Sequence, residues 1–534
     1  MSELPINWIY ASIGQLFKLV GGGTPSTSNS KYWVGDIPWI TSADITKDHR
    51  INTRKMISQL AVENSAANIV PAGSIIVATR VGLGKCAVSQ NVLCFSQDCQ
   101  GLLSYGTRLS SSFFTYQLES IASSIIQKGR GTTINGITKG TLLHLLMRVP
   151  PISEQHHIVE AIESYLTRLD DSINALKGIQ RKLKKYRASV LKAAVEGRLV
   201  PTEAELAREE GRDYEPASVL LECILKERRQ RWIEDTAEKG RARAEEKAKK
   251  SGKSWTDDDN VKALSLERVK AAKKYKEPAS PDTNGLPNLP EGWCWASVEA
   301  TADVTGGFAF KRGEFTNRGV QVVKMANVKA GHLDLNRSPF FIPSASIFLL
   351  DKAGLVDGDL VITLTGTRNK RDYGAVAKVK THPPVLLNQR MARIRCHPPM
   401  DSGYMMLCLQ SEVYRDRFFA HETGNVGQGN VGMRAVRIEP IPIAPEAEQL
   451  RIVEEHERLL SIASDIQSAV HWNTVRCQRL RQSILKWAFE GRLVDQYPND
   501  EPASVLLERI KDERAAQENS KKNSLKSGRK RRAK

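Results

Sequence analysis

LKAAVEGRLV (Leu191–Val200) returns almost unchanged as LKWAFEGRLV (Leu485–Val494), 294 residues further on. The decapeptide has no obvious catalytic chemistry, so its repetition points to architecture. At the same offset, PISEQHHIVEAI (Pro151–Ile162) matches PEAEQLRIVEEH (Pro445–His456), and no gap separates these motifs from the decapeptides. Further upstream LPINWIYASI (Leu4–Ile13) matches LPEGWCWASV (Leu289–Val298), and GSIIV (Gly73–Val77) matches GDLVI (Gly358–Ile362), now 285 residues apart. Downstream EPASVLLE occurs at Glu215–Glu222 and Glu501–Glu508. A repeat of this length makes the chain a tandem duplication of head, long helix, connector and charged segment. The helical part keeps its length while the heads diverge.

The helix is expected from about Ser153 to Glu196, a stretch without proline and with one glycine, Gly178. Ile158, Ile162, Leu166, Leu169, Ile173, Leu176, Leu183, Tyr186 and Val190 recur in threes and fours, the spacing of a coiled-coil seam. Gly197 is placed to take the left-handed position that ends a helix, as is Gly491 in the second copy. The second helix, Glu448 to Glu490, offers a noisier seam of Ile452, Leu460, Ile466, Val470, Leu480, Ile484 and Trp487, interrupted at His456 and Cys477. About 44 residues at 1.5 Å each make a rod of roughly 65 Å. Two such rods can pair antiparallel about a pseudo-twofold axis. A coiled coil that only oligomerises the protein, or one that partner subunits pack against, has the same periodicity.

The heads read as mixed α/β, with short strands punctuated by glycine. The expected fold is therefore two mixed α/β heads separated by two long antiparallel helices. The boundaries are 1–150 for the first head, 151–200 for the first helix and 201–286 for a charged, partly helical linker. The second head is 287–443, the second helix 444–495, and a basic C-terminal tail 496–534, whose last stretch KKNSLKSGRKRRAK is expected to lack fixed structure.

With 78 Lys and Arg against 60 Asp and Glu, the 534-residue chain carries a formal charge of +18, which favours a polyanionic partner. The opening MSELPINWIY has neither a basic n-region nor an apolar core, and no apolar run reaches membrane-span length. The eight cysteines form no CxxC pair. A cytoplasmic protein, without membrane association and without a zinc or disulfide framework, is expected.

Candidate DNA contacts lie in glycine-rich and basic loops. In the first head they are Thr24, Ser26 and Lys31 of VGGGTPSTSNSKYW, Thr79, Arg80 and Lys85 of ATRVGLGK, and Lys128, Arg130 and Thr133 of KGRGTTINGIT. Hydroxyls, lysines and glycine backbone suit phosphate contact. Trp33 and Trp39 are expected in the core. In the second head the candidates are Lys311, Arg312, then Thr365, Arg368, Asn369, Lys370 and Arg371 of TLTGTRNKRDYG, and Gln428 and Asn430 of GNVGQGNVGMR. Arg and Asn are the side chains that read guanine and adenine edges in the major groove. A solvated loop would carry the same charges. The charged linker fits a solvated helix, and the acid-poor tail KKNSLKSGRKRRAK fits non-specific phosphate contact or no role at all.

Catalytic signatures are missing. GLGKC (Gly82–Cys86) lacks the leading glycine and the Ser/Thr of a phosphate loop. HPPV (His382–Val385) and HPPM (His397–Met400) fail at both ends as an adenine methyltransferase tetrad of Asn/Asp-Pro-Pro-aromatic. The chain reads as a recogniser without an engine, no enzyme itself and holding no cofactor or metal.

In this duplicated order, GGTPS…YWVGDIPWI, PPISEQHHIVEAI, APEAEQLRIVEEH, EGRLV and LPNLPEGWCWASV make the chain resemble the specificity (S) subunit of type I restriction–modification systems. EPASVLLE and the ERR after it match the linker style of the enterobacterial branch. The resemblance covers almost the whole chain. It implies two target recognition domains, each reading half of a bipartite double-stranded DNA site, and helices that fix the spacer. It further implies two modification subunits carrying S-adenosylmethionine and methylating adenine N6, and two restriction subunits using ATP and Mg. Glu154, Gln155, Glu196 and Arg198, with Glu448, Gln449, Glu490 and Arg492, are the expected partner-docking or capping residues. A self-sufficient two-headed regulator and a structural scaffold are the competing classes.

Overall fold

The computed structural model describes residues 4–46, 48–106, 109–122, 126, 136–345, 347–380, 385–424 and 427–532. They form two compact units, Met1–Ile179 with Ala469–Lys534, and Gln180–Ser468. The long helices run Ile152–Val195 and Glu446–Phe489, 44 residues each, and each contributes to both units. Among the described residues no helix is long and apolar enough to cross a membrane.

Each head opens and closes on one two-stranded ladder. Ile9–Ser12 pairs antiparallel with Leu146–Val149 in the first, and Cys294–Ser297 with Pro440–Ile443 in the second. The chain thus enters and leaves a head at one place, just ahead of the long helix. Between those strands the first head holds a four-stranded antiparallel sheet in the order Phe17–Gly21, Cys99–Ser104, Ile75–Ala78, Cys86–Val88. The second repeats that order with Ala302–Gly306, Met391–Cys396, Leu360–Thr363 and Val376–Lys378, then adds Gly331–Leu333 and Val328–Lys329 at the edge. A smaller sheet in each contains one parallel pair, Trp39 opposite Cys94 and Val322 opposite Leu386. The heads are mixed α/β and share a core plan.

The ends of the repeats meet in two equivalent junctions. In the first unit, Trp8 N–H closes a turn onto the Pro5 carbonyl at 3.2 Å, with Asn7 at φ 66°. That turn aims the indole N–H at Glu154 Oε2, 2.9 Å away. Gln155 beside it accepts from Ser110 N–H (3.1 Å) and donates to the Pro150 carbonyl (3.0 Å). Gly491, at φ 69°, lies so close to the Pro5 ring that a Cβ would collide with it. Ala503 N–H, opening the C-terminal helix, donates to the Asn7 carbonyl at 3.0 Å.

The second unit repeats every contact. Trp293 N–H donates to the Pro290 carbonyl (3.2 Å) and its indole to Glu448 Oε1 (3.0 Å). Gln449 accepts from Asp401 N–H (3.0 Å) and donates to the Ala444 carbonyl (2.8 Å). Gly197 sits at φ 65°, where a Cβ would lie 2.5 Å from Pro290 Cγ, and Ala217 N–H donates to the Gly292 carbonyl at 2.8 Å. The repeated decapeptide is therefore the place where the end of one repeat docks on the start of the other. Glu154, Gln155, Glu448 and Gln449, expected at a partner-docking surface, are instead at most 2% exposed and serve as internal connectors.

Within each unit the long helices run antiparallel. Ile158, Ile162 and Leu166 share a core with Ile484, Leu485, Ala488 and Phe489 in the first unit. In the second, Ala194 and Val195 pack with Ile452, while Arg187 donates to Ser464 Oγ (3.2 Å). The first seam largely follows the sequence, with Leu169, Ile173 and Leu176 half-buried and Tyr186 turned outward. The second departs from it. His456, Ala463, Val470, Cys477 and Ile484, spaced by heptads, face inward, whereas Ile466, Leu480 and Trp487 are exposed. His456 and Cys477 are members of the seam, not interruptions. Burial lowers the pKa of His456 and favours the neutral imidazole that such a position requires.

The charged linker contains an antiparallel hairpin of Ala217–Lys250 and Asp257–Lys274, tied by Arg268 to Glu234 (2.9 Å) and Arg241 to Asn260 (2.7 Å). The C-terminal segment is helical over Ala503–Arg532, which takes in most of the stretch KKNSLKSGRKRRAK expected to lack fixed structure. Its Ala503, Leu506 and Ile510 enter the core of the first unit as Ala217, Leu220 and Ile224 enter that of the second.

Two glycines should respond oppositely to alanine. Gly178, mid-helix with open space around its Cβ position, should gain about 0.5–1 kcal/mol on Gly178→Ala. Gly197→Ala should lose at least about 1–2 kcal/mol from the left-handed backbone alone. Chemical denaturation of the two variants measures both. A second test concerns Glu154, which burial pushes up to about 7 despite the Trp8 hydrogen bond. The folded state then holds a proton that the unfolded chain releases near 4.5, so stability should fall as pH rises from 4.5 to about 7. Glu154→Gln should flatten that part of the melting-temperature profile and match or exceed the native protein at pH 8.

Candidate nucleic-acid interface

In the second head, two loops singled out in the sequence form one structure. Thr365–Thr367 pairs antiparallel with Gln428–Asn430, Thr365 opposite Asn430 and Thr367 opposite Gln428. Gln428 and Asn430 are exposed beside the turn Arg368–Lys370. Arg368 pairs with Glu422 Oε2 at 3.2 Å, and Arg371 lies over the Phe419 ring, 5.0 Å from its centroid. Lys370 is exposed, and the side chain of Asn369 lies outside the described residues. Thr365 is buried, its Oγ1 3.1 Å from Met325 Sδ, so it positions the ribbon and cannot touch DNA as expected. Lys311 and Arg312 are exposed on a separate turn.

The first head repeats the backbone scheme. Ile137 N–H donates to the Thr79 carbonyl (2.9 Å), as Val431 N–H does to that of Leu364 (2.9 Å). Arg80 is exposed at this point, and Gly136 packs on it closely enough that a Cβ would come within 3.3 Å of Arg80 Cγ. Thr79 is buried, with Oγ1 bonded to the Asp98 carbonyl at 3.2 Å, and is likewise withdrawn as a contact. Lys85 is half-buried, 3.4 Å from the Ser42 carbonyl. Thr24, Ser26 and Lys31 are exposed, Thr24 bonded to Gln97 and Ser26 to Ser28 (2.8 Å). Lys128, Arg130 and Thr133 lie outside the described residues.

Trp39 is buried as expected, but Trp33 is only half so and meets it edge-on at 5.1 Å. Lys55 stands 5.2 Å from the Trp33 centroid, beside a surface concavity of about 400 Å³ that Arg54 also lines. Neither cation stood out in the sequence, where Arg54 and Lys55 are one adjacent basic pair at the start of the short strand Lys55–Ile57. Among the described residues no group of His, Cys, Asp and Glu could hold a metal ion.

Residues 5–185 match the family model for the type I restriction modification DNA specificity domain. Over nearly its full length the chain is similar to the specificity subunit of type I restriction enzyme EcoKI from Escherichia coli K12, 22% identical and covering 96% of this chain and 97% of that one. The chain is similar to the type I restriction–modification specificity subunits, and the family model covers its first head and most of the first long helix. The EcoBI specificity subunit of Escherichia coli is 24% identical over 77% of this chain and 73% of its own. The HsdS subunit of Thermoanaerobacter tengcongensis shares the fold at a TM-score of 0.53 and 14% identity, covering 92% of this chain and 98% of that one. A chain from a structural study of complex assembly in a type I restriction–modification system reaches 0.58 at 15% identity, covering 92% and 100%.

Proposed function

We propose that each head reads one half of a bipartite double-stranded DNA site and that the paired helices set the spacer between the halves. The observation that carries this reading is the contrast between junctions whose indole and amide hydrogen bonds recur in both units and head loops whose basic and polar residues differ. In the second head the reading surface comprises Arg368, Asn369, Lys370, Arg371, Gln428 and Asn430, with Lys311 and Arg312 on phosphates. In the first it comprises Thr24, Ser26, Lys31, Arg80 and Lys85, with Lys128, Arg130 and Thr133. A rod of 44 residues limits the span to below roughly 20 base pairs, at about 3.4 Å per pair.

Two modification subunits dock on the frame and supply S-adenosylmethionine, transferring its methyl group to adenine N6 of a base drawn out of the duplex. Exposed apolar side chains on the second helix favour such docking. Ile462 and Ile466 lie one turn apart in one unit, and Leu480 and Trp487 two turns apart in the other. Glu196, Arg198, Glu490 and Arg492, which flank the capping glycines and pair within each segment, are further docking positions. Two restriction subunits, using ATP and Mg, complete a cytoplasmic nuclease that translocates DNA.

Single-molecule sequencing of DNA from cells carrying this chain and its modification subunit should show N6-methyladenine at one two-part motif. Exchange of residues 1–150 for another such head should replace one half of the motif and leave the other unchanged. Methylation without a two-part motif, or a change in both halves, would contradict the reading.

A further inference from the structure

A third segment touches both of the loop systems described for each head, and no reading of the sequence singled it out. In the second head it is the turn Asn388–Gln389–Arg390, between strands Val385–Leu387 and Met391–Cys396. Gln389 N–H donates to the Phe308 carbonyl (2.8 Å), on the loop that leads to Lys311, and Leu364 N–H donates to the Arg390 carbonyl (3.0 Å), on the strand leading to Arg368. In the first head the turn Ser96–Gln97–Asp98 occupies the same place. Thr79 N–H donates to the Asp98 carbonyl (2.8 Å), and Gln97 bonds Thr24. Glycine makes room for both turns: a Cβ on Gly22 would strike the Ser96 carbonyl, and one on Gly307 the Asn388 carbonyl.

At the last position of this turn the backbone role is duplicated while the side chain is inverted in charge, Asp98 in one head and Arg390 in the other. Arg390 is held at φ 70°, a left-handed conformation that costs a non-glycine residue energy and gathers at functional sites. Its side chain is exposed and, unlike Arg368, makes no ion pair among the described residues. With Lys324, Asn388 and Gln389 it lines a concavity of about 330 Å³. Lys324 is fixed there over the Phe340 ring, 2.9 Å from its centroid. An amide pair, an unpaired guanidinium and a fixed ammonium are the groups that read purine edges and hold phosphate.

We infer that Arg390 is a specificity-determining residue of the second head, reading a guanine in that head's half-site from a turn whose carbonyl hydrogen bond to the neighbouring strand recurs in both heads. The inference rests on the bipartite-reading proposal and adds the residue and the base. The test uses the complex of the full chain with its modification subunits, on a plasmid library randomised across the half-site that residues 287–443 read. The native complex should require a guanine at one position. Arg390→Ala should weaken discrimination there by about 10- to 100-fold, leaving the other half-site and the spacer unchanged. Arg390→Gly, which suits the left-handed backbone, should give the same loss with undiminished thermal stability, separating lost contact from lost folding. A second-head half-site without an invariant G·C pair, or unchanged discrimination in Arg390→Gly, would overturn the inference while the bipartite reading stood. A native complex methylating no two-part site would overturn that reading as well.

Discussion

The structure depends on a buried carboxylate–amide pair at the first turn of each long helix. Glu154 and Glu448 each accept an indole N–H, and Gln155 and Gln449 each bridge a head backbone N–H to the carbonyl entering the helix. Such groups are costly to bury unless their partners stand in one geometry, so the pair tolerates little variation in the angle between head and helix. Hydrophobic contact alone would let a head slide. The opposite repeat's capping glycine completes the joint, because only its missing side chain allows the proline of the turn to close on it. Spacing set by a helix is useful only if the heads at its ends are held so firmly.

That constraint explains where the sequence is free to change. The first and last strands of each head pair with each other, so the loops between them can vary while Ser110 and Asp401 keep their hydrogen bonds to the joint. The second head has used this freedom to add edge strands and a basic ribbon, while keeping the order of its central sheet. The head loops and the junctions are separated by topology.

Much of this plan was legible in the residues. The repeat gave the two-fold plan, and the absence of proline with a terminal glycine placed both long helices to within two residues. At several positions polarity was taken for exposure, and at Trp33, Ile466, Leu480 and Trp487 apolar character was taken for burial. Glu154 and Gln155 looked like surface residues because their partners, Trp8 and Ser110, are far away in sequence. The second seam was misplaced because His456, Ala463 and Cys477 are less apolar than the isoleucines and tryptophans left outside. Thr79 and Thr365 were taken for contacts, yet their hydroxyls point inward. Conversely, the turn Asn388–Arg390 carries common loop residues, and only its backbone links to two other loops mark it.

The central claim is that the frame measures while the heads read, and its most direct test is to change the length of the frame alone. Four residues inserted between Leu166 and Leu183, and in a second variant in both long helices, add about 6 Å of helix. Methylation mapping of the resulting complexes should show both half-sites intact and, wherever methylation persists, a spacer longer by about one or two base pairs. An altered half-site with an unchanged spacer would contradict the account.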